Sequence, residues 1–322
     1  MAAAEPALAP LTIKAAVRED LIGVTGTMVE PRIKVSLFDD LLFASDIPAP
    51  QPQPDEVMAI SLSSALLHSV TIRRNVGSVY DLGTGCGVQA LHARRYARRV
   101  VASDVNPRAL KYTEFNTALN AGLNTGVNIE ASDIDLRLGS LFDPVDGERF
   151  DLVVSNPPFA VSPDHHVQYR DSGLPADEFC AELVRRAPDH IRPGGLGIIL
   201  VGWGQRAGEH WSSRVRKWLP KSGFDSWLIR FHSSEPAEYA AEWNRALLDN
   251  EELHGATVQR WIDYFAHMDF ETINFGVVTL RQSEGPHWIR ADSVPLQIAR
   301  NASDFLEQLI SATDFVRGLP ST

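Results

Sequence analysis

The strongest constraint on this chain is a short apolar strand that runs into a ladder of glycines, Val79-Tyr-Asp81-Leu-Gly83-Thr-Gly85-Cys-Gly87. Glycine accepts a left-handed backbone and lets a ligand approach the main chain, so the turn is tight and open to a bound group. A helix is expected directly after it, and from there strands and helices alternate. Strands are expected near 78–82, 99–103, 134–138, 150–155 and 195–201, and helices near 86–97, 107–121 and 177–188. That alternation predicts a parallel sheet covered by helices on both faces. Pro107 suits the first turn of its helix, because its fixed φ is already helical. Ser226–Phe231 and Ile273–Leu280 supply a sixth and a seventh strand.

The glycine spacing narrows the ligand. A dinucleotide fingerprint runs G-x-G-x-x-G. Here the third glycine falls one place early, at Gly87, and Val88 stands where that fingerprint needs glycine. Asp81 precedes the first glycine, and its carboxylate would repel a pyrophosphate and attract a cationic ligand. The next strand, Val100-Val-Ala-Ser-Asp104, ends in an acid about twenty residues on, where a carboxylate can take ribose hydroxyls.

The fourth strand ends in Ser155-Asn156-Pro157-Pro158-Phe159. Asn156 offers a carbonyl acceptor and an amide donor pair. Pro157 and Pro158 stiffen the turn and carry no N–H, so their carbonyls are free to face outward. Phe159 adds a flat face. The stretch is either an ordinary strand exit, since Asn and Pro are common turn residues, or a rigid acceptor pair beside an aromatic plate. The second arrangement suits a planar –NH2 group held in line with an electrophile.

In this order, D-x-G-x-G-x-G, a strand-end Asp and N-P-P-F resemble the class I S-adenosylmethionine-dependent methyltransferases, over roughly Ser78 to Val201. The N-P-P-F ending is similar to that of the amino-group enzymes: the small-domain ribosomal RNA guanine-N2, the adenine-N6 and the release-factor glutamine-N5 methyltransferases. The resemblance implies an α/β fold with a Rossmann-like, seven-stranded doubly wound sheet and S-adenosylmethionine as cofactor. It implies methyl transfer to a planar amino or amide nitrogen, with an RNA base, a protein glutamine or a small molecule as acceptor. It assigns cofactor contacts to Asp81, Gly83, Thr84, Gly85, Gly87, Asp104, Val105, Asn106, Ser140, Leu141 and Asn156. The catalytic turn would be Asn156, Pro157, Pro158 and Phe159. For Ser140 and Leu141 a plain strand end is an equal reading. A cofactor-binding interaction protein without catalysis is the alternative of another class, and the intact motifs argue against it.

Composition sets the remaining bounds. The 322 residues are 44% hydrophobic and 22% charged, enough for one large domain or a domain with a lobe. The net charge of −11 opposes extensive contact with a polynucleotide backbone but leaves a local patch open. The two cysteines form no C-x-x-C, and His165-His166 has no third ligand at suitable spacing, so neither a disulfide framework nor a metal is expected. A reducing cytoplasm fits, with no signal peptide and no membrane-length apolar run. Monomer and homodimer stay open.

Residues 1–54 read as an N-terminal lobe and proline-rich linker: a helix over Leu11–Leu21, a hairpin of Arg32–Phe38 with Leu41–Ala44, then Ile47–Pro54 as a spacer or a wall of the cofactor entrance. The methyltransferase domain spans 55–322, opening with a helix capped by Asp55 and running to about Thr71. Within it, 232–270 reads as a helical insertion near the pocket, and Leu296–Leu309 as a closing helix. Tyr169-Arg170-Asp171, just beyond His165-His166, is either a polar loop or a set that orients the acceptor. All seven tryptophans lie between Trp203 and Trp288, as packing or as an aromatic acceptor wall. The basic runs Arg94, Arg95, Arg98, Arg99 and Arg214, Arg216, Lys217, Lys221 are solvated faces or phosphate contacts.

Overall fold

The computed structural model describes residues 12–49, 53–121, 134–164, 169–171, 173–284, 286–296 and 302–317. The chain opens with α1 (Ile13–Arg18) and two hairpins, β1 (Ile22–Thr25) with β2 (Met28–Pro31) and β3 (Ile33–Phe38) with β4 (Leu41–Asp46). There follow α2 (Leu62–Val70), β5 (Val76–Leu82), α3 (Val88–Ala93), β6 (Ala97–Asp104), α4 (Pro107–Ala121), β7 (Ile134–Leu138) and β8 (Phe150–Ser155). Then come α5 (Glu178–Arg186), β9 (Ile191–Arg206), α6 (Ser213–Arg216), β10 (Phe224–Ser234), α7 (Pro236–Trp243) and α8 (Glu251–His267). The chain closes with β11 (Phe270–Gln282), β12 (Ile289–Ser293) and α9 (Ala302–Arg317).

The central sheet has eight strands in the order β12-β10-β11-β9-β8-β5-β6-β7. Only β11 runs against the others. All seven expected strands are present, and β12 adds an eighth at the edge beside β10. Its exposed, charged residues hide it in the sequence; Ser226 N–H donates to Trp288 O and the Trp227 indole to Asp292, which pins it there. Runs such as Leu152-Val-Val-Ser155 are buried throughout, which only a sheet covered on both faces allows. One core lies between the sheet and α2, α3 and α9, the other between the sheet and α5. A third cluster packs Tyr239, Trp261 and Phe265 from α7 and α8 onto Val161 and Ile273. Among the described residues no helix is long and apolar enough to cross a membrane.

Strand β5 has β6 on one side and β8 on the other, so the winding direction reverses at this strand. A crevice opens at the carboxyl ends of strands at such a point. The glycine turn leaves β5 and the Asn-Pro-Pro turn leaves β8 side by side, with Leu82 paired to Ser155. Sequence and topology thus deliver the two motifs to one place.

Several local expectations are corrected. The helix expected from Asp55 begins only after its N-cap Ser61, whose hydroxyl accepts from Ser64 N. The residues before it stay extended because Val57 pairs with the end of β4: Asp46 N–H donates to Val57 O, and Val57 N–H to Asp46 Oδ2. The helix expected over 86–97 is shorter, since Ala97 already starts β6. The hairpin of β1 and β2 was not expected from the sequence; its signal is Gly26, at φ +62°. The expected hairpin of β3 and β4 docks on α4, where Asn116 and Asn120 bond the main chain of Ala44 and Leu42.

Candidate active site

The glycine turn is closed by its own surroundings. Gly83, Gly85 and Gly87 have φ of +73°, +57° and +88°, which side-chain-bearing residues rarely adopt. Gly83 and Thr84 N–H groups donate to Ser103 O at 2.9 and 3.0 Å, stitching the turn to β6. At Gly83 and Gly85 an added Cβ would meet open space, so the main chain there is bare toward the crevice. Gly87 differs: a Cβ would stand 2.8 Å from Leu91 and 2.9 Å from Thr113, so this glycine serves packing beneath the turn.

Two acids flank the turn. Asp81 is buried; its Oδ2 accepts from the Thr84 hydroxyl at 2.8 Å and from Ala90 N–H at 3.0 Å. Burial pushes its pKa up to about 7 against those bonds. Asp104 accepts from Gly85 N–H and Asn106 N–H, both at 2.9 Å, and burial raises its pKa too. Asn106 uses its amide locally: Oδ1 caps Arg108 N–H in α4, and Nδ2 donates to Asp55 O, fastening the segment after Pro54. Val105 is half exposed, and Leu141 has φ +49° with its carbonyl taken by the Tyr80 hydroxyl.

The second turn is held from outside. Asn156 Nδ2 lies 3.2 Å from Ser63 Oγ and 3.4 Å from Ser64 Oγ at the start of α2. Asn156 Oδ1 is buried and has no partner among the described residues. Such an orphan acceptor is costly unless something donates to it. The main chain of Phe159 lies against Gly202 of β9, where a Cβ would come 2.1 Å from Phe159 O. The Phe159 ring is 4.7 Å from that of Phe275 and edge-on to Trp243 at 6.2 Å. Just beyond, Val161 N–H donates to the Tyr239 hydroxyl of α7 at 3.0 Å.

A cavity of about 520 Å³ joins the two turns. Every site residue expected from the sequence lines it except Gly87, and Tyr169, Arg170 and Asp171 line it as well. Arg170 donates to Asp171 at 2.7 Å and lies 3.6 Å from Asp164, which also takes Arg260 at 2.6 Å and the Trp261 indole at 3.0 Å. The loop is thereby tied to α8. His165 and His166 lie outside the described residues. Of the tryptophans only Trp243 reaches the cavity, while Trp203, Trp218, Trp227 and Trp261 are buried in packing. Arg95, Arg99, Arg214 and Arg216 engage Asp39, Glu148, Asp177 and Ser212. Sequence reasoning missed Ser63, Ser64 and Glu56, a buried acid on the cavity wall whose pKa burial raises. The S-x-S-S run at a helix start was the available signal for the serines.

Asp39, His68 and His92 also gather, their ligand atoms within 4.8 Å of one another. Arg73 donates to His68 Nε2 at 2.9 Å and Arg95 lies 3.7 Å from Asp39, so an arginine cation stands beside two of the three residues.

A family model described as "Methyltransferase small domain" matches residues 59–205. A release factor glutamine methyltransferase of Xylella fastidiosa (strain Temecula1) is 36% identical over 141 residues, covering 40% of this chain and 48% of the relative. The protein of the same description from Cereibacter sphaeroides is 37% identical over 142 residues, with 40% and 48% covered. The chain spans about half the length of these curated relatives. Solved structures similar to it include a ribosomal protein L11 methylase from Lactobacillus delbrueckii subsp. bulgaricus, at 17% identity and TM-score 0.38, covering 69% of this chain and 77% of that one. Trm5b from Pyrococcus abyssi aligns at 15% identity and TM-score 0.44, covering 82% and 62%. The glycine turn, Asp104 and the Asn-Pro-Pro turn all lie within residues 59–205, so the stretch that carries the cavity is the one similar to the methyltransferase small domain.

Proposed function

We propose that this protein transfers a methyl group from S-adenosylmethionine to a planar side-chain amide nitrogen of a protein glutamine. The observation that carries the reading is the buried, partnerless Oδ1 of Asn156 on the wall of a cavity that also holds the glycine turn. The residues fit the cofactor. Gly83 and Gly85 leave their main chain bare, Asp104 keeps lone pairs beyond the two N–H groups it takes, and Asp81 is a buried acid able to favour a cation. Bound there, the cofactor supplies a methyl group on a sulfonium leaving group.

The work of the chain is then alignment. An amide nitrogen is a weak nucleophile because its lone pair is delocalised. Asn156 Oδ1 and the Pro157 carbonyl accept its two N–H groups, so that it can lose planarity and aim the lone pair at the methyl carbon. That interaction strengthens as charge develops on nitrogen, and this is the condition for lowering the barrier. The Phe159 ring is braced by Phe275 and Trp243, and on this reading it offers a flat surface to the amide plane. The surplus proton leaves after transfer, so no strong base is demanded.

For the acceptor, the matched relatives are described as glutamine methyltransferases of release factors, and the charge of −11 opposes a polyanionic partner. Incubation with labelled cofactor tests this, using purified release factors in one arm and ribosomal and transfer RNA in the other. Label on a release-factor glutamine supports the reading; label on RNA alone replaces it with a base amino group.

A further inference from the structure

We propose that Ser63 and Ser64, with Ser61 as their hub, are positioning residues that decide which end of the Asn156 amide faces the cavity. The inference rests on the amino-acceptor reading above.

An asparagine amide has nearly the same shape either way round, but one end accepts and the other donates twice. An incoming nitrogen brings N–H groups, so only the carbonyl end can receive it; the flipped amide would set donors against donors. Something must fix the orientation. The amide nitrogen points at Ser63 Oγ and Ser64 Oγ, at 3.2 and 3.4 Å, which leaves the carbonyl oxygen buried and unpartnered.

A lone serine hydroxyl would not discriminate, since it can donate or accept. The network around it does. Ser61 Oγ caps α2 by accepting Ser64 N–H at 3.1 Å, and stands 2.8 Å from Ser63 Oγ and 3.0 Å from Ser64 Oγ. Ser61 satisfies both neighbours if Ser63 donates to it and it donates to Ser64. Its two lone pairs and its proton are then all used. Ser63 and Ser64 each keep a lone pair for Asn156 Nδ2, and because the Ser63 proton is committed to Ser61, Ser63 can only accept from the amide. Gln89 Nε2 donates to Ser64 O at 2.9 Å, fastening this turn of α2 to the helix that follows the glycine turn. The orientation of Asn156 is therefore set by a serine cluster more than ninety residues upstream.

The test is a double-mutant cycle. Ser63→Ala/Ser64→Ala is made in the wild-type protein and in Asn156→Asp, with kcat, acceptor KM and cofactor Kd read for each. A carboxylate has two equivalent oxygens and no wrong end. In the asparagine protein the serine pair should lower kcat by about tenfold, with cofactor Kd unchanged; in the aspartate protein the loss should shrink to about threefold or less. Ser63→Thr and Ser64→Thr, which keep the hydroxyl, should retain the wild-type kcat. Equal losses in both backgrounds would mean that the serines only support α2, and an unchanged kcat in the asparagine protein would also overturn the proposal. Failure of the underlying reading looks different: Asn156→Ala itself would then turn over at the wild-type rate.

Discussion

The two ends of the cavity are built on different plans. The end at β5 and β6 is built mostly from neighbours in sequence: within residues 81–106, main-chain N–H groups meet Ser103 O, Asp81 and Asp104, three glycines supply the left-handed turns, and the adjoining α4 adds Thr113 and Asn116 against the carbonyls of Gly85 and Cys86. The end at β8 is assembled from distant segments. Serines of α2 take the Asn156 amide, Gly202 of β9 makes room for Phe159, and α7 supplies Tyr239 and Trp243. A local motif can hold a common ligand in any relative. A site whose supports come from elsewhere can change its acceptor while the motif itself stays as it is.

If the two ends are separable, substitutions should divide cleanly into those that lower turnover and those that weaken cofactor binding. Among the supports of the two ends, the largest effect is expected at Gly202→Ala. A Cβ there would collide with the Phe159 carbonyl at 2.1 Å and push the turn aside, and a displacement of that order can lower turnover by about 10²-fold. Cofactor affinity, measured by calorimetry, should hold. A matching loss of affinity would show that the two ends are one unit.

Asp104→Ala should do the reverse. If Asp104 takes the ribose hydroxyls as proposed, the change removes charge-assisted bonds and weakens cofactor binding by about 2 kcal/mol, roughly 30-fold, with little change in kcat at saturating cofactor. Because Asp104 also takes Gly85 and Asn106 N–H groups, Asp104→Asn separates loss of charge from loss of the turn. Unchanged affinity in both variants would remove Asp104 from the site.

The smallest effect concerns pH. Asp81 has a raised pKa of about 7 against an unfolded value near 3.8, so between those values the folded protein holds a proton that the unfolded chain has released. On that account the ligand-free protein loses stability as pH rises through the window. A cationic ligand favours the carboxylate, so cofactor affinity should fall by up to about tenfold per unit as pH drops below 7. The thermal shift produced by S-adenosylhomocysteine, which lacks the sulfonium charge, should show a weaker dependence. Identical pH profiles for the two ligands would place Asp81 away from the sulfonium.

The same division explains what the sequence revealed. The five parallel strands, the glycine turn and Asp104 were legible because each depends on a run of neighbours: an apolar strand, a glycine spacing, an acid at a strand end. Asn156 to Phe159 were legible as a motif for the same reason. Their supports were not. Ser63 and Ser64 read as ordinary helix-start residues, and Gly202 as one glycine among many in a strand; only tertiary contact gives them meaning. The start of α2 was misplaced because Asp55 is a good cap in isolation, whereas pairing of Val57 with Asp46 decides the matter. The seven tryptophans could not be sorted from the sequence, since burial in packing and exposure to a cavity use the same residue.

The central claim is that Asn156 Oδ1 waits for the N–H of an acceptor and contributes little to holding the cofactor. Its most direct test is Asn156→Ala, with single-turnover methyl transfer and cofactor affinity measured on the same preparation. The account predicts that transfer falls by about 10²-fold or more, as for loss of one preorganised group in a transition state, while cofactor Kd stays within about twofold. Transfer at the wild-type rate, or a loss of affinity as large as the loss of rate, would contradict it.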